Sequence, residues 1–202
     1  MFNKIPSQTT IQNTIAALRN NNIEAFLVQN GEEAKRKFWE IVPEGAEVMN
    51  MTSVTLGSIG LDKEIEGSTD IKSVRSQLLK MDRKTEGSQM QKLGAAPDFV
   101  IGSVHAVTQD GHVLIASNTG SQLPAYAYGS SRVIWIVGAQ KIVKDIDAGT
   151  RRIYEYVLPL ESERAKVAYG APGSAVNKML IFSRETQPGR VTMILVNEVL
   201  GY

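Results

Sequence analysis

Arg132-Val133-Ile134-Trp135-Ile136-Val137-Gly138 is the stretch on which the reading of the fold turns. Its core is β-branched and aromatic and it closes on a glycine, the composition of a strand buried on both faces of a parallel sheet. Upstream, helical and strand periods alternate. Ser7 or Thr9 caps a helix carrying Ile11, Ile15 and Leu18, which Asn20-Asn21-Asn22 closes. Ile23 to Val28 reads as a strand and Asn30-Gly31 as the turn out of it. A second helix bears Ala34, Phe38, Ile41 and Val42 and stops before Pro43. Glu47 to Asn50 follows as a short strand. Helix–strand–helix–strand with short connections predicts an α/β fold: a central, largely parallel sheet flanked by helices.

Downstream of Asn50, Thr55 to Glu66 predicts a short helix entered from Thr52-Ser53-Val54, and Ile71 to Leu93 a longer one with Ile71, Val74, Leu78 and Met81 towards the core. Phe99 to Gly102 is a strand. Asp110-Gly111, between Val107 and Val113-Leu114-Ile115, predicts an antiparallel hairpin because glycine tolerates positive φ. A further helix begins near Gly120-Ser121 and passes through Leu123 and Tyr126. Beyond the central strand, Ile142, Ile146, Ile153 and Val157 continue as a helix. Lys178 to Phe182 and Val191 to Val196 are strands separated by the turn Pro188-Gly189. There is no internal repeat, and 202 residues suit one domain. Residues 1–22 supply its N-terminal helix and 23–202 its α/β body.

Composition removes several function classes. The chain has no cysteine, which excludes iron–sulfur ligation, disulfides and thiol nucleophiles. Only His105 and His112 remain as imidazole ligands, on either side of a turn, and no metal is expected. Lys plus Arg number 22 against 21 Asp plus Glu, a net charge of +1, which gives nucleic acid no basic face. No apolar run suits a signal core or a membrane span, so a cytoplasmic protein is expected. P-loop, Gly-x-Gly-x-x-Gly, nucleophile-elbow and zinc-helix patterns are absent. Lys35-Arg36-Lys37 and Arg151-Arg152 read as solvated helix faces.

Three polar segments follow predicted strands, where open α/β sheets bind ligands. The first includes Ser53 and Thr55, whose hydroxyls sit at a helix entry that favours an anion; an ordinary helix cap accounts for them as well. The second, Ser117 to Gln122, offers Asn118, Thr119, Gly120 and Ser121, more hydrogen-bonding groups than a cap requires. The third holds Gly138, which either admits a ligand or makes the bend, and Lys141, which either neutralises an anion or is a solvated charge. His105 is a candidate general base, though a packed or hydrogen-bonded structural histidine is the first reading. Asp110 and Glu198 are the candidate carboxylates, the former also explained by its turn.

Taken in order, Ser53-Val54-Thr55-Leu56-x-x-Ile59-Gly60, Gly102-Ser103-Val104-His105-Ala106-Val107-Thr108-Gln109-Asp110-Gly111, Ser117-Asn118-Thr119-Gly120-Ser121 and Val137-Gly138-Ala139-Gln140-Lys141-Ile142-Val143 resemble the LUD-domain family, the lactate-utilisation proteins of bacteria. The resemblance runs from about Ile23 to Tyr202. It implies a fold like the sugar-phosphate isomerase and CoA-transferase superfamily and a link to oxidation of lactate to pyruvate. Larger relatives carry cysteine-rich iron–sulfur modules. This chain has none, so the resemblance implies iron–sulfur partner proteins for any electron transfer; it names no catalytic residue set and no cofactor.

Two readings therefore stand, with a purely structural or regulatory binding module as a third. In one, the protein is an accessory or subunit in organic-acid utilisation that binds a small anionic metabolite, self-associating or not. In the other, it is a stand-alone isomerase-like or acyl/CoA-transferase-like enzyme using Asp110 or Glu198. Whether it is catalytic at all is left open, as are the roles of His105, Asp110 and Glu198.

Overall fold

A computed structural model describes residues 2–202; Met1, the first residue of the N-terminal helical segment, lies outside the described residues. Ser7 caps α1 (Gln8–Asn20) by accepting from the amide of Thr10. Then follow β1 (Ile23–Val28), α2 (Gly31–Ile41), β2 (Glu47–Asn50), α3 (Val54–Ser58), α4 (Leu61–Gly67), β3 (Lys72–Ser73), α5 (Val74–Leu78) and α6 (Arg83–Ala95). The second half contains β4 (Phe99–Gly102), β5 (Ala106–Thr108), β6 (Val113–Ser117), β7 (Arg132–Gly138), β8 (Ile142–Val143), α7 (Ile146–Arg152), α8 (Leu158–Tyr169), β9 (Lys178–Phe182) and β10 (Val191–Val196).

β7 lies inside a six-stranded sheet of order β1-β10-β7-β4-β2-β3. Every pairing in it is parallel. Six of its seven residues are buried, which fits an uninterrupted apolar run sandwiched between layers. Alternation sorts the run by face. Val133, Trp135 and Val137 pack with Ile11, Ile15 and Leu18 of α1, while Ile134 and Ile136 pack with Phe38 of α2, Leu56 of α3 and Leu61 of α4.

The predicted hairpin is present and belongs to a second, four-stranded sheet, β8-β5-β6-β9. β5–β6 and β6–β9 are antiparallel, and β5–β8 is parallel. Val107, Val113, Ile115 and Phe182 from this sheet join the core on the α1 side of the main sheet. Ala106, Leu114 and Val143 face the other way, onto Ala148 of α7.

Four details depart from the sequence reading. The helix expected over Thr55–Glu66 is two, broken where Gly60 takes φ 74°. The helix expected over Ile71–Leu93 is a short strand and two helices, each restarted by its own side-chain cap, Ser73 and Asp82. Near Leu123 and Tyr126 the chain makes only a wide helical turn, Ala125–Gly129. Ile142 lies in β8, paired with Val107, rather than in a helix. The helix after it starts on Asp145 and runs through a wide turn at Ile153–Val157 into α8.

Candidate functional site

Packing the second sheet on the first leaves a cleft of about 1670 Å³, walled by the chain just beyond β2, β4, β6 and β7, by α5 and α6, and by α8. Short strands followed at once by polar residues create this geometry: the backbone leaves the sheet and presents hydroxyls and amides at its rim.

Seven of the eight expected ligand-binding residues line that cleft: Ser53, Thr55, Asn118, Thr119, Gly120, Ser121 and Lys141. Ser53 caps α3, its hydroxyl accepting from the amide of Leu56 at 3.3 Å. The Ser117–Gln122 loop is braced internally. Ser117 Oγ donates to Gln122 Oε1 at 2.9 Å and accepts from the Gly120 amide at 2.8 Å. The hydroxyls of Thr119 and Ser121 bond each other at 3.2 Å, and Asn118 Oδ1 accepts from Asn177 at 2.8 Å. Gly120 answers to its φ of 87° and to the Lys178 stem, which a Cβ would meet at 2.6 Å. Gly138 is not on the cleft wall. A Cβ there would meet Gln140 Oε1 at 2.2 Å and the Leu200 amide at 2.7 Å, so it makes room for the chain returning from β10.

Lys141 is only 1% exposed, far from the solvated charge that the sequence allowed. Its Nζ lies 2.9 Å from Thr55 Oγ1, 3.1 Å from Ser103 Oγ and 3.1 Å from the carbonyl of Val104. It thereby ties together the loops after β2, β4 and β7. All three partners are neutral oxygens. Burial, and then the positive charge of Arg152, hold the amine well below the ordinary lysine range.

His105 lines the same cleft. Its Nδ1 accepts from the amide of Ala116 at 3.1 Å, which places the ring proton on Nε2. Burial first, then Lys141 and Arg152, lower its pKa to about 3, so the ring is neutral. Behind it, Arg152 is fully buried and donates from Nη1 to the carbonyl of His105. Nε and Nη2 of Arg152 have no hydrogen-bond partner among the described residues. Burial brings its pKa down to about 10, which leaves the guanidinium charged at neutral pH. The sequence predicts Arg151-Arg152 on a solvated face; that holds for Arg151 and fails for Arg152, which lies about 100° further round α7 and faces inward.

Across the cleft, α8 contributes Glu161, which takes a bidentate pair of bonds from Arg164 at 2.8 and 2.6 Å and one from Tyr202 Oη at 2.8 Å. Burial tends to raise the Glu161 pKa, but these donors outweigh it and keep the carboxylate ionised. Arg152, Glu161 and Tyr202 escaped the sequence reading, because no local pattern marks a side chain that acquires its partners from distant segments. Asp110 and Glu198 lie off the cleft. Asp110 accepts from Thr108 Oγ1 and sits 3.1 Å from His112 Nδ1 within the hairpin. Glu198 accepts from the amide of Gly31 at 3.1 Å, at the start of α2.

Among the described residues no group of three or more histidine and acidic side chains could hold a metal, and no helix is long and apolar enough to cross a membrane. No curated protein matches the sequence. Among solved structures, the chain is similar to a DUF162 family protein from Deinococcus radiodurans, with a TM-score of 0.59 and 11% identity, covering 96% of this chain and 100% of that one. At that identity the likeness speaks for the fold. The family model described as the LUD domain matches residues 11–196, nearly the whole α/β body together with most of α1, and the chain belongs to the LUD domain family.

Proposed function

We propose that this LUD-domain chain serves lactate and related organic-acid utilisation by binding a small carboxylate anion in the cleft, without a redox cluster of its own. One observation carries this reading. Lys141 lines the cleft with only neutral oxygens as partners, and behind that wall the buried Arg152 guanidinium, packed over the Tyr156 ring, meets a carbonyl and no carboxylate. Two donors of the charged guanidinium are unpartnered. A buried positive charge lacking a counter-ion is costly, and an anion entering the cleft lowers that cost. The Nε2–H of His105 offers a donor at the same wall. Iron–sulfur partner proteins would then carry the electrons, since a chain without cysteine holds no cluster by thiolates.

Isothermal titration with lactate, pyruvate, CoA and sugar phosphates tests the proposal. A small carboxylate is expected to bind, and His105→Phe, which deletes the ring donor, to weaken it about tenfold, the worth of one charge-assisted hydrogen bond. Silence from every anion, with unchanged growth on lactate after deletion of the gene, would sink it.

One observation favours the second reading, a transferase-like or isomerase-like enzyme. The cleft, about 1670 Å³, exceeds the roughly 300–1,000 Å³ of common small-molecule sites and has room for a CoA-sized or phosphorylated ligand. In that case the carboxylates lining the cleft are Asp62, Glu66 and Glu161, and not Asp110 or Glu198. Tight binding of CoA or a sugar phosphate, with none of lactate or pyruvate, selects this alternative.

A further inference from the structure

Resting on the carboxylate-binding reading, we propose that Lys141 is a nucleophile that forms a reversible imine with a 2-oxo acid in the cleft. Each valence of its nitrogen has a partner. The carbonyl of Val104 can only accept a hydrogen bond. Thr55 gives its hydroxyl proton to the carbonyl of Leu200 at 3.3 Å, so towards Nζ it also accepts. These two oxygens use two N–H bonds. The third direction faces Ser103 Oγ at 3.1 Å, a hydroxyl with no other bond to hold its proton, which is free to donate. A neutral amine, with two hydrogens and one lone pair, is satisfied by this set without remainder.

An ammonium would also find three acceptors, but it would bury a full charge beside the Arg152 guanidinium with no carboxylate in contact. Such burial costs several kcal/mol per ion. The pocket therefore favours the form that attacks carbonyl carbon. Structural lysines of buried cores are ordinarily paired with an acid; the fold supplies one to Arg190, whose Nη1 meets Glu185 at 2.7 Å, and none to Lys141.

The chemistry balances without a redox partner. The lone pair of Nζ adds to the C2 carbonyl carbon once Ser103 turns its hydroxyl from the nitrogen. The former carbonyl oxygen takes up a proton, then leaves as water with a second proton, while nitrogen loses both of its hydrogens and forms the C=N bond. Amine plus 2-oxo acid gives imine plus water, and hydrolysis reverses it. A 2-hydroxy acid such as lactate has no C2 carbonyl and cannot react. The site thus separates the oxidised from the reduced acid covalently, where shape alone would hardly distinguish them.

The experiment is borohydride trapping of the intact protein in pyruvate, followed by peptide mass mapping, with lactate as the parallel arm. A mass gain equal to the 2-oxo acid less one oxygen atom is expected on the peptide holding Lys141, at least about tenfold above any surface lysine, given the larger free-amine fraction. Lactate should give none, and Lys141→Met should lose the adduct. Because the mapping uses the wild-type chain, it does not depend on how well that variant folds. Pyruvate binding by titration with no adduct at Lys141, or labelling spread evenly over surface lysines, overturns the imine and leaves carboxylate binding standing. Failure of every carboxylate to bind in titration removes the parent reading instead.

Discussion

His105 is held neutral by its surroundings: the Ala116 amide occupies Nδ1, and burial, assisted by Lys141 and Arg152, opposes a second proton. The folded-state pKa of about 3 lies below the ordinary 6.5. Between those values the unfolded chain takes up a proton that the folded chain refuses. Stability from this group is therefore complete above pH 6.5 and drains away as pH falls towards 3, by up to about 1.4 kcal/mol for each pH step. Urea midpoints measured from pH 7 downwards should show that slope, and His105→Gln should flatten it; an unchanged slope in the variant would place the acid sensitivity elsewhere. The same residue shows what a sequence conveys at this scale. Its position after a strand was legible, but its protonation was not, because the amide and basic groups that set it come from β6, Lys141 and α7.

At the scale of elements, what is legible depends on where the energy comes from. β4, β7 and β10 begin and end close to where the apolar runs do, since two-sided burial writes itself as consecutive Val, Ile and Phe. The segment from Ile71 to Ala95 was less readable. α5 has one buried residue, Val74, and α6 has none, so local caps rather than core contacts set their limits. Gly102 at the end of β4 is a join between element and site. A Cβ there would lie 1.8 Å from Tyr126 Oη and 3.3 Å from Met51 Cβ, and Tyr126 lines the cleft. Gly102→Ala is expected to displace the ring and to cost about 1–3 kcal/mol in thermal unfolding, as overpacked cores do. An unaltered melting temperature would mean that Tyr126 moves without resistance.

For the molecule as a whole, the cleft depends on both sheets. The loops after β2, β4 and β7 come from the main sheet, whereas Ser117–Gln122 follows β6 of the smaller one. A ligand that touches both sides binds only the assembled protein, so it must raise stability by mass action. At about 100 times its dissociation constant the gain is about 2.7 kcal/mol, and roughly 2–4 °C in melting temperature accompanies each kcal/mol for a chain of this size. A carboxylate that binds by titration yet leaves the melting curve unmoved would be sitting on the surface. The sequence marked the separate walls of this cleft as polar runs after strands. It did not mark their convergence or the buried Lys141 and Arg152 behind them, because those follow from how two sheets stack.

The strand order also governs when the protein can fold. β1 borders only β10 in the sheet, and Glu24 and Thr192, which stand opposite each other, are 168 residues apart in the chain. A ribosome therefore releases β1 early and must make almost everything else before that strand finds its place. Throughout synthesis Ile23, Ala25 and Leu27 have no neighbouring strand. The main sheet therefore closes only once β10 has been made, and among the described strands β1 has the longest wait for its partner.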